Sequence, residues 1–340
     1  MTGRERGAQL PPRGDFAHDF LRRKRPPPRC GALALLLLVA ALLTVARADP
    51  RPDPDFRPVV ADPAYPPGAG PVICVDEAHH NFHRISGLFK AFGDLLTADG
   101  YRAQASSAVF DREVPNDCQV LVIANAQPSD APWDDYPYPT PAAFDAAEVH
   151  TLATWVNHGG RLLLIADHMP FPGAAASLAG AFGCTFNDGF AVQAFHTEQE
   201  GRALFTAPTI FSLDAGSLRA HPVTRGQAPG ASVTRIATFA GQAFRCADDA
   251  APLLVLPRDF VSLMPQKPWK FTPQTLSVPV GGWLQGAAFD FGHGRVAIFG
   301  EAGMFSAQIT DDGRKMGMNA PGAEQNARFV RNLIQWLAKP

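Results

Sequence analysis

RLLLIADHMPFPGAA, residues 161–175, reads as a strand that runs out into a chemically rich turn. From Leu162 to Ala166 every residue is apolar, without the alternation of a strand that has one wet face, so the pattern predicts a strand covered on both sides. Three more runs share this character: VICV at 72–75, VLVIA at 120–124 and RVAIF at 295–299. Between them lie helical patterns. Leu88, Phe89, Phe92, Leu95 and Leu96 recur at helix spacing over 85–98, until Asp99-Gly100. Thr140-Pro141 offers an N-cap and a first-position proline for a helix that ends before Gly159-Gly160. Phe329, Val330, Leu333, Ile334 and Leu337 form the stripe of a closing helix, and a further strand is expected within 101–110. Strands alternating with helices predict an α/β fold: a mostly parallel sheet with helices on both faces. Residues 184–285 are less regular, with strand-like runs at 231–239 and 253–256, and read as an elaboration of the same domain.

The N-terminus has a different character. A basic, proline-rich segment, RRKRPPPR, leads into the apolar run GALALLLLVAALLTVARA, which ends in the small-residue pattern Ala46-Arg47-Ala48. This order is that of a secretory signal peptide over residues 1–48, cleaved after Ala48, or of an N-terminal membrane anchor through residues 31–46. The expected location is periplasmic or secreted, with inner-membrane anchoring facing the periplasm as the alternative. Residues 49–70 are rich in Pro and Asp and read as an extended tether, and 71–340 as one domain. The first 48 residues hold nine Lys and Arg and three Asp and Glu, so 30 basic against 32 acidic becomes 21 against 29, a net charge of −8. A nucleic-acid partner is thereby disfavoured, since phosphate binding rests on clustered positive charge.

Cys30 precedes the apolar run. Four cysteines follow it, Cys74, Cys118, Cys184 and Cys246, none in a CxxC pair. Cys74, inside an apolar strand, reads as a buried inert thiol, and Cys184 with Cys246 as the disulfide pair to test first.

In an open parallel sheet, ligands bind beyond the carboxyl ends of the strands. VICV is followed by Asp76-Glu77, RLLLIA by Asp167-His168 and RVAIFG by Glu301, so three carboxylate-bearing ends are expected at one edge. Within DEAHHNFH, residues 76–83, His79 and His83 are four apart and would share a face if that turn were helical. Carboxylates with two imidazoles suit a divalent metal such as Zn, Mn or Fe; the same residues also serve as helix caps and backbone hydrogen-bond partners. The loop NAQPSDAPWDDYPYP, 125–139, places Asn125, Trp133, Tyr136 and Tyr138 near the same edge as a lid or a stacking surface for an uncharged ligand such as a sugar, or as a stiff loop covering its own core. Gln308 and Asn319 follow the last strand. No GxSxG elbow and no phosphate-cradling glycine loop occurs, and Gly292-His293-Gly294-Arg295 reads as a tight turn.

DEAHHNFH, RLLLIADHMPFPGAA, GRVAIFGEAGMFSAQ and NARFVRNLIQWL together resemble a group of uncharacterised bacterial exported proteins with a class I glutamine-amidotransferase-like, flavodoxin-like domain, over nearly all of 71–338. The resemblance implies that fold. It also implies a nucleophile elbow at Ala166-Asp167-His168-Met169, which carries no cysteine, so glutamine hydrolysis through a thiolate is not expected. Two functions compete. One is a non-catalytic ligand-binding or envelope-assembly module that holds a small molecule or an envelope component. The other is a periplasmic hydrolase, metal-dependent or acid-base, using Asp167, His168 and Glu301 as catalytic groups with Asp76, His79 and His83.

Overall fold

The computed structural model describes residues 50–194 and 207–339. The expected signal or anchor lies outside the described residues, and among those described no helix is long and apolar enough to cross a membrane.

Nine strands form the main sheet: β1 (Val72–Asp76), β2 (Arg102–Ser106), β3 (Val120–Ala124), β4 (Arg161–Ile165), β5 (Cys184–Phe186), β6 (Phe244–Cys246), β7 (Ala251–Val255), β8 (Leu284–Phe291) and β9 (Gly294–Phe299). Their order is β2-β1-β3-β4-β9-β8-β6-β5, with β7 also on β8. β1, β2, β3, β4 and β9 are mutually parallel. Beyond β9 every pairing reverses.

Alternate residues of β1, β3, β4 and β9 enter two cores. Ile73, Val75, Val120, Val122, Leu163 and Ile165 pack with Phe92 of helix α1 (Lys90–Ala98), with Phe89 just before it and with the apolar stripe of the closing helix. Val72, Cys74, Leu121, Ile123, Leu162 and Leu164 pack with Leu152 and Val156 of helix α2 (Ala146–Asn157). The closing helix, α3, spans Asn326–Ala338.

A mostly parallel sheet with helices on both faces is not what forms. Among the described residues four ladders are parallel and nine antiparallel, and only α1, α2 and α3 exceed six residues. The fold is a mixed, mostly antiparallel assembly of sheets with few helices. The physical reason lies in a turn. β8 and β9 are joined by two residues, Gly292 and His293, with Gly292 at φ 58°. A connection that short can only make a hairpin, because a parallel return needs a crossover of a dozen or more residues. Residues 184–285 follow suit, supplying short antiparallel strands, among them Phe190–Gln193 paired with Phe260–Met264.

Local expectations shift too. The α2 helix begins at Ala146 rather than at Pro141, because Asp145 and Glu148 form a reciprocal capping box: the Asp145 carboxylate accepts from Ala147 N (2.8 Å) and Glu148 N (2.9 Å), while Glu148 accepts from Asp145 N (3.1 Å). α1 begins only at Lys90. Residues 50–70, read as a tether, pack on the domain: Arg51–Pro52 pairs with Ala307–Ile309, and Phe56, Val60 and Tyr65 lie against the core. Cys74 is not a free thiol but is bridged to Cys118, and Cys184 is bridged to Cys246 across β5 and β6.

Candidate functional site

The ends of β3, β4 and β9 lie side by side, with Ala124 in register with Ile165 and Ile165 with Phe299. The residues that follow meet there. Asn125, at φ 51°, is buried and ties the strand ends together: its N–H donates to Ile165 O (2.9 Å), its Oδ1 accepts from Asp167 N (2.9 Å) and its Nδ2 donates to His83 Nδ1 (3.0 Å). Asparagine is among the few residues that hold such a φ at modest cost. Because its oxygen is committed to a backbone N–H, its amide nitrogen must be the donor to His83, so His83 carries its proton on Nε2.

Asp167 and Glu301 face the same cavity. Asp167 Oδ1 accepts from His168 N (2.8 Å). Glu301 accepts with both oxygens, from Gly303 N (2.7 Å) and Met304 N (2.8 Å), capping the turn Gly303–Phe305. Burial pushes both carboxyls above their ordinary range; the charge of Asp167 pushes Glu301 further, while His168 pulls Asp167 back. His83 is driven the other way, down to about 3, by burial and then by His168, and is therefore neutral. His168 hydrogen-bonds Met169 O through Nδ1 (2.9 Å) and stacks on Phe190 at 4.6 Å.

The cavity measures about 310 Å³, near the lower end of small-molecule sites. Its walls are aromatic: Phe82, Trp133, Phe171, Phe239 and Trp269. Trp269, like Asn125, has positive φ (62°), and such outliers concentrate at ligand sites. The loops bearing Trp133 and Trp269 are joined by an exposed ion pair, Lys267 Nζ to Asp135 Oδ1 (2.7 Å).

Of the residues singled out in the sequence, the fold brings Asp167, His168, Glu301, His83, Asn125, Trp133 and Gln308 to this cavity. The others lie elsewhere. Asp76 and His79 belong to a buried set of their own, with His79 Nδ1 at 2.9 Å from Asp76 Oδ2 and its Nε2 at 2.9 Å from Glu148 Oε1. The ring lies between Phe110 (4.9 Å) and Phe144 (4.6 Å). Glu77 accepts from Ile85 N (2.9 Å). Tyr136 bonds within its own loop to Ser129, Tyr138 is exposed, and Asn319 bonds Asp53 (2.9 Å). His79 and His83 do not share a helical face, because 77–89 is not helical. The one set of potential metal donors in mutual reach among the described residues is Cys74, Asp117 and Cys118, and its two sulfurs form a disulfide. Phe82, Phe171, Phe239 and Trp269 escape the sequence reading. Proline and lysine around Trp269 (PQKPWKFTP) mark it as a loop tryptophan, and no other signal in the sequence points to this wall.

No family model and no curated protein sequence matches the chain. Among solved structures, the mmIFT52 N-terminal domain is similar at TM-score 0.52 and 15% identity, over 79% of this chain and 98% of that one. A ThuA-like protein from Bacteroides uniformis aligns at TM-score 0.41 and 11% identity, over 82% and 94%. A GMP synthase-like protein from Thermoplasma acidophilum aligns at 0.39 and 11%, over 79% and 94%. These likenesses concern the fold alone.

Proposed function

We propose that this protein is a non-catalytic ligand-binding module of the cell envelope, on an amidotransferase-like fold that lacks the catalytic thiol, and that it binds a small molecule in the cavity between Trp133, Trp269, Asp167 and Glu301. The observation that carries the reading is the combination of aromatic walls with polar groups already fixed by the backbone. Both Glu301 oxygens are held by N–H groups, and Asn125 is locked by Asp167, which is preorganisation for recognition. Among the described residues no free thiol is at hand for the amidotransferase reaction, since Cys74, Cys118, Cys184 and Cys246 are all bridged. The two disulfides agree with an oxidising compartment.

A second reading, acid-base hydrolysis by Asp167 and Glu301, is favoured by their upward-shifted carboxyls, since perturbed acids cluster at catalytic sites. One experiment addresses both. A thermal-shift screen of neutral sugars, amines and small acids should yield a compound that at about a hundredfold its Kd stabilises the protein by about 2.7 kcal/mol. That shift should vanish in Trp133→Leu and Asp167→Asn, and the compound should be recovered chemically unchanged after prolonged incubation. A shift unaffected by these variants would overturn the site; conversion of the compound would overturn the non-catalytic reading in favour of the hydrolase.

A further inference from the structure

The cavity's chemistry is sorted by depth. At its floor, where β4 and β9 end, sit two carboxylates, Asp167 at 8% and Glu301 at 1% exposure. Neither forms an ion pair with a Lys or Arg among the described residues. Two like charges taken out of water are costly unless compensated; His168 beside Asp167, with Arg314 and Lys315 in the same lining, supplies part of that positive charge, and a proton or a cationic ligand supplies more. Around them stand Phe82, Trp133, Phe171, Phe239 and Trp269, aromatic rings whose faces carry negative π-density.

A third observation is independent of the acids. Gln308 lines the same cavity at 1% exposure; its Nε2 donates to Ser306 Oγ (2.8 Å), and its Oε1 has no partner among the described residues. Turning the amide over would let Oε1 accept from His83 Nε2, now 3.4 Å from the amide nitrogen, but would strand the nitrogen instead. Either way one polar atom of a buried amide is left for something that enters the cavity.

We propose that the ligand is a small organic cation, whose ammonium head sits on the Asp167 and Glu301 floor among the aromatic rings, with a hydrogen-bonding group beside it for Gln308. The inference rests on the ligand-binding reading above and narrows it. Ring faces and carboxylates both attract an ammonium, whereas a neutral ligand of the same shape gains from neither charge term. Burial makes the carboxylate pair take up a proton more readily than free carboxyls do, and a cation bound there competes with that proton.

The test uses the full chain, choline chloride, its uncharged isostere 3,3-dimethylbutan-1-ol and glucose, followed by tryptophan fluorescence at constant ionic strength. Choline should bind at least about tenfold more tightly than the isostere, which corresponds to about 1.4 kcal/mol. In weakly buffered solution its addition should release protons that sodium chloride does not. Asp167→Asn and Glu301→Gln should erase the preference for choline; Trp133→Leu, which leaves the floor intact, should weaken choline binding while keeping proton release at saturation. Equal affinity for choline and the isostere would overturn the inference, as would choline binding without proton release. Binding of glucose alone would overturn it and leave the ligand-binding reading standing. Failure of all three probes on a protein that melts cooperatively would also overturn it, and a blank result in the wider screen would remove the ligand-binding reading itself.

Discussion

His79→Gln should cost about 2–4 kcal/mol at pH 6 and clearly less at pH 9. The imidazole lies between Asp76, which is fully buried, and Glu148, each at 2.9 Å. Burial opposes its charge, but the hydrogen bonds and charges of Asp76 and then Glu148 outweigh burial and raise its pKa above the ordinary 6.5. Removing one member of a buried ionic set leaves uncompensated charge, typically about 3–5 kcal/mol. The glutamine amide recovers about 1 kcal/mol by bonding one carboxylate. A histidine whose folded pKa is raised contributes stability that is fully present below about pH 6.5, its unfolded value, and is lost as pH climbs through the folded value. Urea unfolding of both proteins at pH 6 and pH 9 supplies the four free energies required. If His79 only fills the gap between Phe110 and Phe144, the penalty is the same at both pH values; that result, or a penalty under about 1 kcal/mol at pH 6, would refute the ionic account.

Two further outcomes are expected. The Cys74–Cys118 and Cys184–Cys246 bridges close loops of 44 and 62 residues, so loss of either by paired Cys→Ala changes should cost about 4 kcal/mol on the chain-entropy estimate; thiol titration of the denatured, unreduced full chain should find only Cys30, and additional free thiols would contradict the pairing. Asp188, pushed up to about 6 by burial against hydrogen bonds from Thr140 and Gly173, binds its proton more tightly folded than unfolded, so it favours folding below about pH 4 and that contribution is lost as pH rises through about 6. Asp188→Asn should therefore raise the unfolding free energy at pH 7.5 by about 2 kcal/mol and have little effect at pH 4, and equal effects at the two pH values would contradict it.

Runs apolar on both faces are legible as buried strands, because nothing but two covering layers accounts for VLVIA or RLLLIA. Hairpin and crossover, however, differ in the connection rather than in the strand. The pattern GHGR is readable as a tight turn, yet its antiparallel consequence depends on a second strand, Leu284–Phe291, whose small and polar residues hide it from an apolar pattern. The meeting of Asp167 with Glu301 follows from the parallel register of β4 and β9, which two acidic strand ends can suggest. Asp76 ends β1, two strands from β4, and is held by His79, whose other ring nitrogen bonds Glu148 on α2, a residue 69 positions beyond His79 that no local pattern marks. The aromatic walls are less legible still. Phenylalanine is frequent in this sequence, with 24 copies, so an individual Phe171 or Phe239 carries no signal until the chain is folded.

The reversal of strand direction at β9 also divides labour over evolutionary time. Asn125, Asp167 and Glu301 leave parallel strands whose positions are fixed by the central sheet, whereas Trp269 and Phe239 come from the antiparallel stretch between β4 and β9. Substitutions and length changes in that stretch can remodel the walls while the acidic floor keeps its register. A lineage carrying this arrangement can diversify in what it captures without rebuilding the place where capture happens, and homologues are expected to agree at the strand ends and to disagree in the loop around Trp269.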